Sequence, residues 1–131
     1  LQFSPWHAVP LASNQFAVST FYNNQVHVVD AGGQTVRSYG SGTAGSGVGQ
    51  LNWPMMLAVA ADNTVLVADS SNNRLVVIDA SLTKASEVSL NLTAGNKLQR
   101  PWCLAVDASR GRLYVGEYGG NRRVLVFTGI R

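Results

Sequence analysis

The sequence predicts an all-β chain built from three copies of one four-stranded antiparallel unit of about 48 residues. Three observations carry this reading: an internal repeat, short aliphatic runs broken by turn residues within each copy, and a composition poor in charge. The copies are PWHAVPLASNQFAVSTFYNNQVHVVD from Pro5, PMMLAVAADNTVLVADSSNNRLVVID from Pro54 and PWCLAVDASRGRLYVGEYGGNRRVLVF from Pro101. Their leading prolines lie 49 and 47 residues apart. The aligned asparagines, Asn24, Asn73 and Asn121, follow those prolines by 19, 19 and 20 residues. This alignment puts the extra residue of the third copy in the turn Ser109-Arg110-Gly111-Arg112, and insertions belong in turns.

Each copy reads as short strands. In the second, residues 57–60, 64–68 and 74–79 are aliphatic or β-branched runs separated by Asp62-Asn63 and by residues 70–73. A fourth strand follows in the first two copies, over 35–39 and 86–90. Thr35, Arg37 and Tyr39 alternate with Val36 and Ser38, which suits a half-buried outer strand. Residues 40–50, GSGTAGSGVGQ, sit where one unit hands over to the next. They read as a defined connecting loop; they lack the Lys-Ser/Thr ending and following helix of a phosphate cradle. Boundaries of the units fall at about 1–48, 49–95 and 96–131, the last lacking its outer strand.

Composition narrows the function classes. Charged residues are 13% of the chain against about a quarter in ordinary soluble domains, so the backbone is expected to be paired in sheets. No apolar run approaches the length of a membrane span, and no membrane partner is expected. The first residues show no basic segment followed by an apolar stretch. The single cysteine, Cys103, cannot form an internal disulfide and leans towards a reducing, cytoplasmic compartment. Against that, Asn91-Leu92-Thr93 is a glycosylation sequon that matters only in a secreted protein. The net charge of +3 comes from scattered basic residues, apart from Arg110 with Arg112 and Arg122 with Arg123.

The stretch Gly-x-Gly-x-Leu-x-x-Pro at 47–54, followed by LAVAADNTVLVADSSNNRLVVID, resembles the NHL repeat. The second copy carries Pro54, Ala58, Val59, Val67, Ala68, Asp69, Asn72 and Arg74 of that pattern. The third carries Pro101, Ala105, Val106, Asp107, Val115, Arg122 and Val124, with Glu117 for the aspartate and Gly120 for the asparagine. The first departs most, with Thr20, Gln25 and an interrupting Pro10. The resemblance implies a β-propeller with blades of four antiparallel strands. A carboxylate ending one strand and an arginine five residues later can pair across the turn, and a guanidinium can also cap loop carbonyls. Asp69 with Arg74, and Glu117 with Arg122, are therefore expected to be structural turn pairs.

Propellers have four to eight blades, so three cannot close a ring and would leave open sheet edges. The resemblance implies six blades most often. The chain then reads as half a six-bladed propeller, either a homodimer closing one ring or a fragment of a longer propeller.

Two columns of large residues follow the prolines: Trp6, Met55 and Trp102, then His7, Met56 and Cys103. They read either as an aromatic-rimmed binding surface, since Trp anchors interfaces, or as packing between blades. His7, Met56 and Cys103 could also suit a soft metal, but packing explains them without one, and no metal or cofactor is expected. Some propellers of this resemblance are lyases with channel histidines. Here the only histidines are His7 and His27, and no catalytic triad, dyad or paired carboxylate is readable. The leading expectation is a non-catalytic module that binds a protein or peptide. One alternative is binding of single-stranded RNA through Lys97, Arg100, Arg110, Arg112 and Arg123, with Trp102 or Tyr118 for stacking. The other is a lyase or lactonase.

Overall fold

The structure, a computed structural model, describes residues 4–90, 97–120 and 122–129. Among them it is all-β apart from two single turns of 3-10 helix, Phe21–Asn23 and Ser70–Asn72. Blade 1 holds β1 (His7–Leu11), β2 (Gln15–Thr20), β3 (Gln25–Val29) and β4 (Thr35–Tyr39), paired antiparallel in chain order. Blade 2 repeats this with β5 (Pro54–Val59), β6 (Val65–Asp69), β7 (Arg74–Ile78) and β8 (Ala85–Glu87). Blade 3 holds β9 (Pro101–Asp107), β10 (Arg112–Glu117) and β11 (Val124–Thr128), three strands among the described residues.

The outer strand of blade 2 is shorter than the sequence suggests. It begins at Ala85, and its ladder with β7 ends in a bond from the Val88 amide to the Leu75 carbonyl. β7 itself begins at Arg74, which the register sets opposite residue 89, so residue 90 already lies past its end. The sequon at Asn91 lies outside the described residues.

Blade 2 is the middle layer. Alternation along β6 sends Val65 and Val67 to one face and Leu66 and Ala68 to the other, and all are buried. The first face packs with Ala17, Val26 and Val28 of blade 1, together with Leu51, Leu57 and Ile78. The second packs with Leu104, Leu113 and Val115 of blade 3, together with Met55, Leu75 and Leu98. A strand covered on both faces needs no polar alternation, which is why β6 reads as a continuous apolar run. Burying each such Val or Leu contributes about 1.5–3 kcal/mol, so these two seams hold the blades together. The outermost faces differ. On blade 3, Val124 and Val126 are 68% and 52% exposed. On blade 1, Ala8, Pro10 and Phe16 are exposed on the side turned away from blade 2.

Each seam is also fastened by one repeated hydrogen bond. Asn24 and Asn73 close the 3-10 turns in left-handed conformation, at φ 55° and 54°. Asparagine tolerates that region better than other side chains. The Asn24 side chain accepts from the Trp53 amide at 2.9 Å, and Asn73 accepts from the Arg100 amide at 2.9 Å. Trp53 and Arg100 each precede a blade's leading proline, so the turn of one blade holds the entry of the next.

The glycine-rich stretch 40–50 is a defined connector. Arg74 donates from Nε to Asp69 at 2.8 Å, and from its two Nη atoms to the carbonyls of Ser46 and Gln50 at 3.1 Å each. Asn72 donates to the Gly45 carbonyl and to Asp69, both at 2.8 Å. Asp69 is fully buried and also accepts from the Asn52 amide at 2.7 Å.

Candidate functional site

All first strands start, and all second strands finish, at one end of the blades. Six aromatic residues gather there. Trp6 precedes β1, Trp53 precedes β5 and Trp102 is the second residue of β9; Phe21 and Tyr22 follow β2, and Tyr118 follows β10. Their rings form one continuous chain of contacts across three blades. Tyr22 meets Phe21 at 4.0 Å between centroids, and Trp53 meets Phe21 edge-on at 5.5 Å. Trp6 lies edge-on to Phe21 at 5.2 Å and to Trp102 at 6.2 Å. Trp102 meets Tyr118 at 4.9 Å, and the Arg122 guanidinium lies 5.4 Å from the Tyr118 ring centre. Edge-to-face pairs contribute about 0.5–1.5 kcal/mol each, so the rings brace one another before any ligand arrives. The band nevertheless faces solvent: Tyr22 is 66% exposed, Tyr118 54%, Trp6 48% and Trp53 38%.

The two sequence columns divide differently from the expectation. Trp6 and Trp102 join the band. Met55 does not: it is 1% exposed and packs in the seam between blades 2 and 3, which takes it off the candidate surface and agrees with the packing alternative. Met56 is half-buried, and Cys103 is exposed beside Gly116 on the open face of blade 3. His7 belongs to a seam. Its Nδ1 accepts from the Leu57 amide at 3.0 Å, joining blade 1 to blade 2, and burial holds its pKa below the usual histidine value. Among the described residues, no three His, Cys, Asp or Glu side chains are arranged to hold a metal ion.

The turn pairs need one correction. Asp69 pairs with Arg74, but Glu117 pairs with Arg123 at 2.6 Å, not with Arg122. The register explains it: Gly116 pairs with Val124 where Ala68 pairs with Leu75, so the connection after β10 holds one residue more than the one after β6. Arg122 is left over the Tyr118 ring. The five basic residues expected on one face are also divided. Lys97 and Arg100 are exposed on the approach to β9, at the aromatic end. Arg110 and Arg112 lie at the opposite end of β10, with Arg110 paired to Asp107 at 2.8 Å, and Arg123 is neutralised by buried Glu117.

Turn carboxylates at that opposite end are occupied. The Lys84 amide and the residues Ser81 and Thr83 hold Asp79 down to about 2. Hydrogen bonds from Thr64 lower Asp62, and those from Ser109 and Arg110 lower Asp107.

Sequence reasoning missed Phe21, Tyr22 and Trp53. The signal was present in the repeat, because Phe21 occupies the turn position of Ser70 and Tyr118, and Trp53 that of Arg100.

Comparison with known proteins matches residues 98–127 to the NHL repeat. The match falls on the third copy, although the second keeps the aspartate and asparagine that the third replaces with Glu117 and Gly120. No curated protein matches the sequence. Solved structures share the fold at low identity. A chain of the nidogen/laminin complex is 17% identical with a TM-score of 0.69, covering 97% of this chain and 46% of its own. A Bacteroides caccae protein of unknown function is 18% identical with a TM-score of 0.70, covering 95% and 46%. A catalytically inactive virginiamycin B lyase from Staphylococcus aureus, solved with quinupristin, is 12% identical with a TM-score of 0.65, covering 95% and 41%. The chain thus spans less than half the length of each of these structures.

Proposed function

We propose that this chain, whose residues 98–127 form an NHL repeat, is a non-catalytic binding module that docks a protein or peptide on the aromatic end of its blades. The observation that carries this is the braced, solvent-facing band from Tyr22 to Tyr118. Tyr and Trp dominate interface hot spots because they offer large contact area at low entropic cost. The likeness to a lyase supports the fold and transfers no chemistry, since function resides in the site. His7 is engaged in a seam, and Asp62, Asp79 and Asp107 are engaged in turns. The division of basic residues between the two ends favours a peptide over RNA.

The three blades are read as half of a six-bladed ring, the missing half supplied by a second copy or by further blades of a longer polypeptide. Support comes from the exposed Val124 and Val126 at one end of the arc, and from relatives about twice as long.

The test is photo-cross-linking with a benzophenone residue placed at Tyr22 or, as control, at Asp62 on the opposite end. The reading predicts partner capture from position 22 only. It also predicts that Tyr22→Ala weakens the captured partner's binding by about 2 kcal/mol in a variant that stays folded, its melting temperature lowered only slightly by the lost ring contacts. Capture from position 62 alone, or undiminished binding by the variant, contradicts it.

A further inference from the structure

We infer that the aromatic end is polarised, and that its occupant is a protein segment in which an apolar or aromatic stretch adjoins carboxylates, the carboxylates lying over blade 3. This rests on the peptide-docking reading above. The two seams present the same backbone slot with different side chains. In both, the residue before the leading proline is left-handed, at φ 56° for Trp53 and 47° for Arg100, and its amide is held by the preceding blade's asparagine. The first seam therefore displays an indole and the second a guanidinium.

The surroundings extend the contrast. Trp53 contacts Phe21 and Tyr22, so that region is aromatic throughout. Arg100 accepts from the Tyr118 amide through its carbonyl at 2.9 Å, and Tyr118 carries Arg122 over its ring. Lys97 lies exposed three residues before Arg100. Exposed Glu87 lines the same cavity as Lys97, so the outward charge rests on Arg100 and Arg122; Glu117 is buried and taken by Arg123 and the Gln99 amide. Among the described residues no ion pair involves Arg100 or Arg122, so both exposed guanidinium groups offer their charge outward. A single-stranded nucleic acid needs cations along its whole path to follow its phosphates. Here they stand at one end of the band, which fits a segment acidic at one end only.

The experiment is panning of a random displayed dodecapeptide library on the chain, followed by synthesis of the leading peptide. Expected is a consensus of aromatic or apolar residues beside Asp or Glu. The double variant Arg100→Glu, Arg122→Glu should weaken that peptide about tenfold or more, and added salt should weaken wild-type binding in the same sense. Tyr22→Ala should weaken it while leaving the salt dependence in place. Cooperative melting of each variant excludes misfolding, and the wild-type salt titration stands without them. A consensus lacking carboxylates, or binding indifferent to charge reversal and salt, overturns the polarity and leaves peptide docking intact. No enrichment of any peptide overturns both, and binding of a uridine oligonucleotide instead would assign this end to RNA.

Discussion

Arg74 shows how one side chain serves both a turn and a loop. It is mostly buried, pairs with Asp69 and caps two carbonyls of the glycine-rich connector. Asp69 keeps donors from the Asn52 amide and Asn72 when Arg74 is truncated, so the carboxylate is weakened and not stranded. Arg74→Ala is therefore expected to destabilise by about 1–3 kcal/mol in chemical denaturation, with peptide binding at the aromatic end retained. Loss of binding with unchanged stability would instead make Arg74 a contact residue. The Asp69–Arg74 pair is readable from a fixed spacing in the sequence. The matching pair in blade 3 is not, because one extra residue in a turn moves the partner from Arg122 to Arg123 without altering the local pattern. Met55 shows a related limit: a column of equivalent positions shares a backbone site, yet Trp6 is 48% exposed and Met55 is 1% exposed in the seam with blade 3, so the column alone does not fix what covers the side chain.

At the scale of elements, β1 and β5 meet through a titratable bond. The His7 ring must be unprotonated at Nδ1 to accept from the Leu57 amide, and burial already lowers its pKa from 6.5. A histidine with a lowered folded pKa contributes stability that is full above the unfolded value and is lost as pH falls through the folded one. The melting temperature should thus decline as pH drops below 6.5, in a step separate from the later loss of Asp79 and its fellow turn carboxylates, whose window lies below 3.8. Buried His27 shifts in the same direction, so the wild-type slope contains both. His7→Asn supplies an oxygen acceptor in place of Nδ1 and does not titrate; its melting curve should show a shallower decline across that first window. An identical slope in the variant would remove His7 from the seam's energetics. The strands themselves were legible because aliphatic runs and turn residues alternate in every copy. The aromatic band was only half legible, since Phe21, Tyr22 and Trp53 lie in turns, where the repeat pattern constrains the backbone and leaves the side chain free.

For the whole molecule, the central blade shows what an end blade lacks. β6 is covered on both faces, whereas the outward face of blade 3 leaves Val124 and Val126 in water. In the proposed ring a twofold arrangement would cover the open faces of two arcs at once, where non-closing addition would give filaments. Such closure would also place two aromatic ends on one rim, so the proposed docking surface and the proposed ring belong to the same account. The measurement that tests it most directly is native mass spectrometry of the 131-residue chain at roughly micromolar concentration, within the affinity range of well-packed interfaces. The account predicts a species of twice the 14.0 kDa chain mass. A folded, stable monomer would contradict the homodimer and leave the ring to further blades of a longer polypeptide, and an open-ended ladder of higher masses would contradict closure.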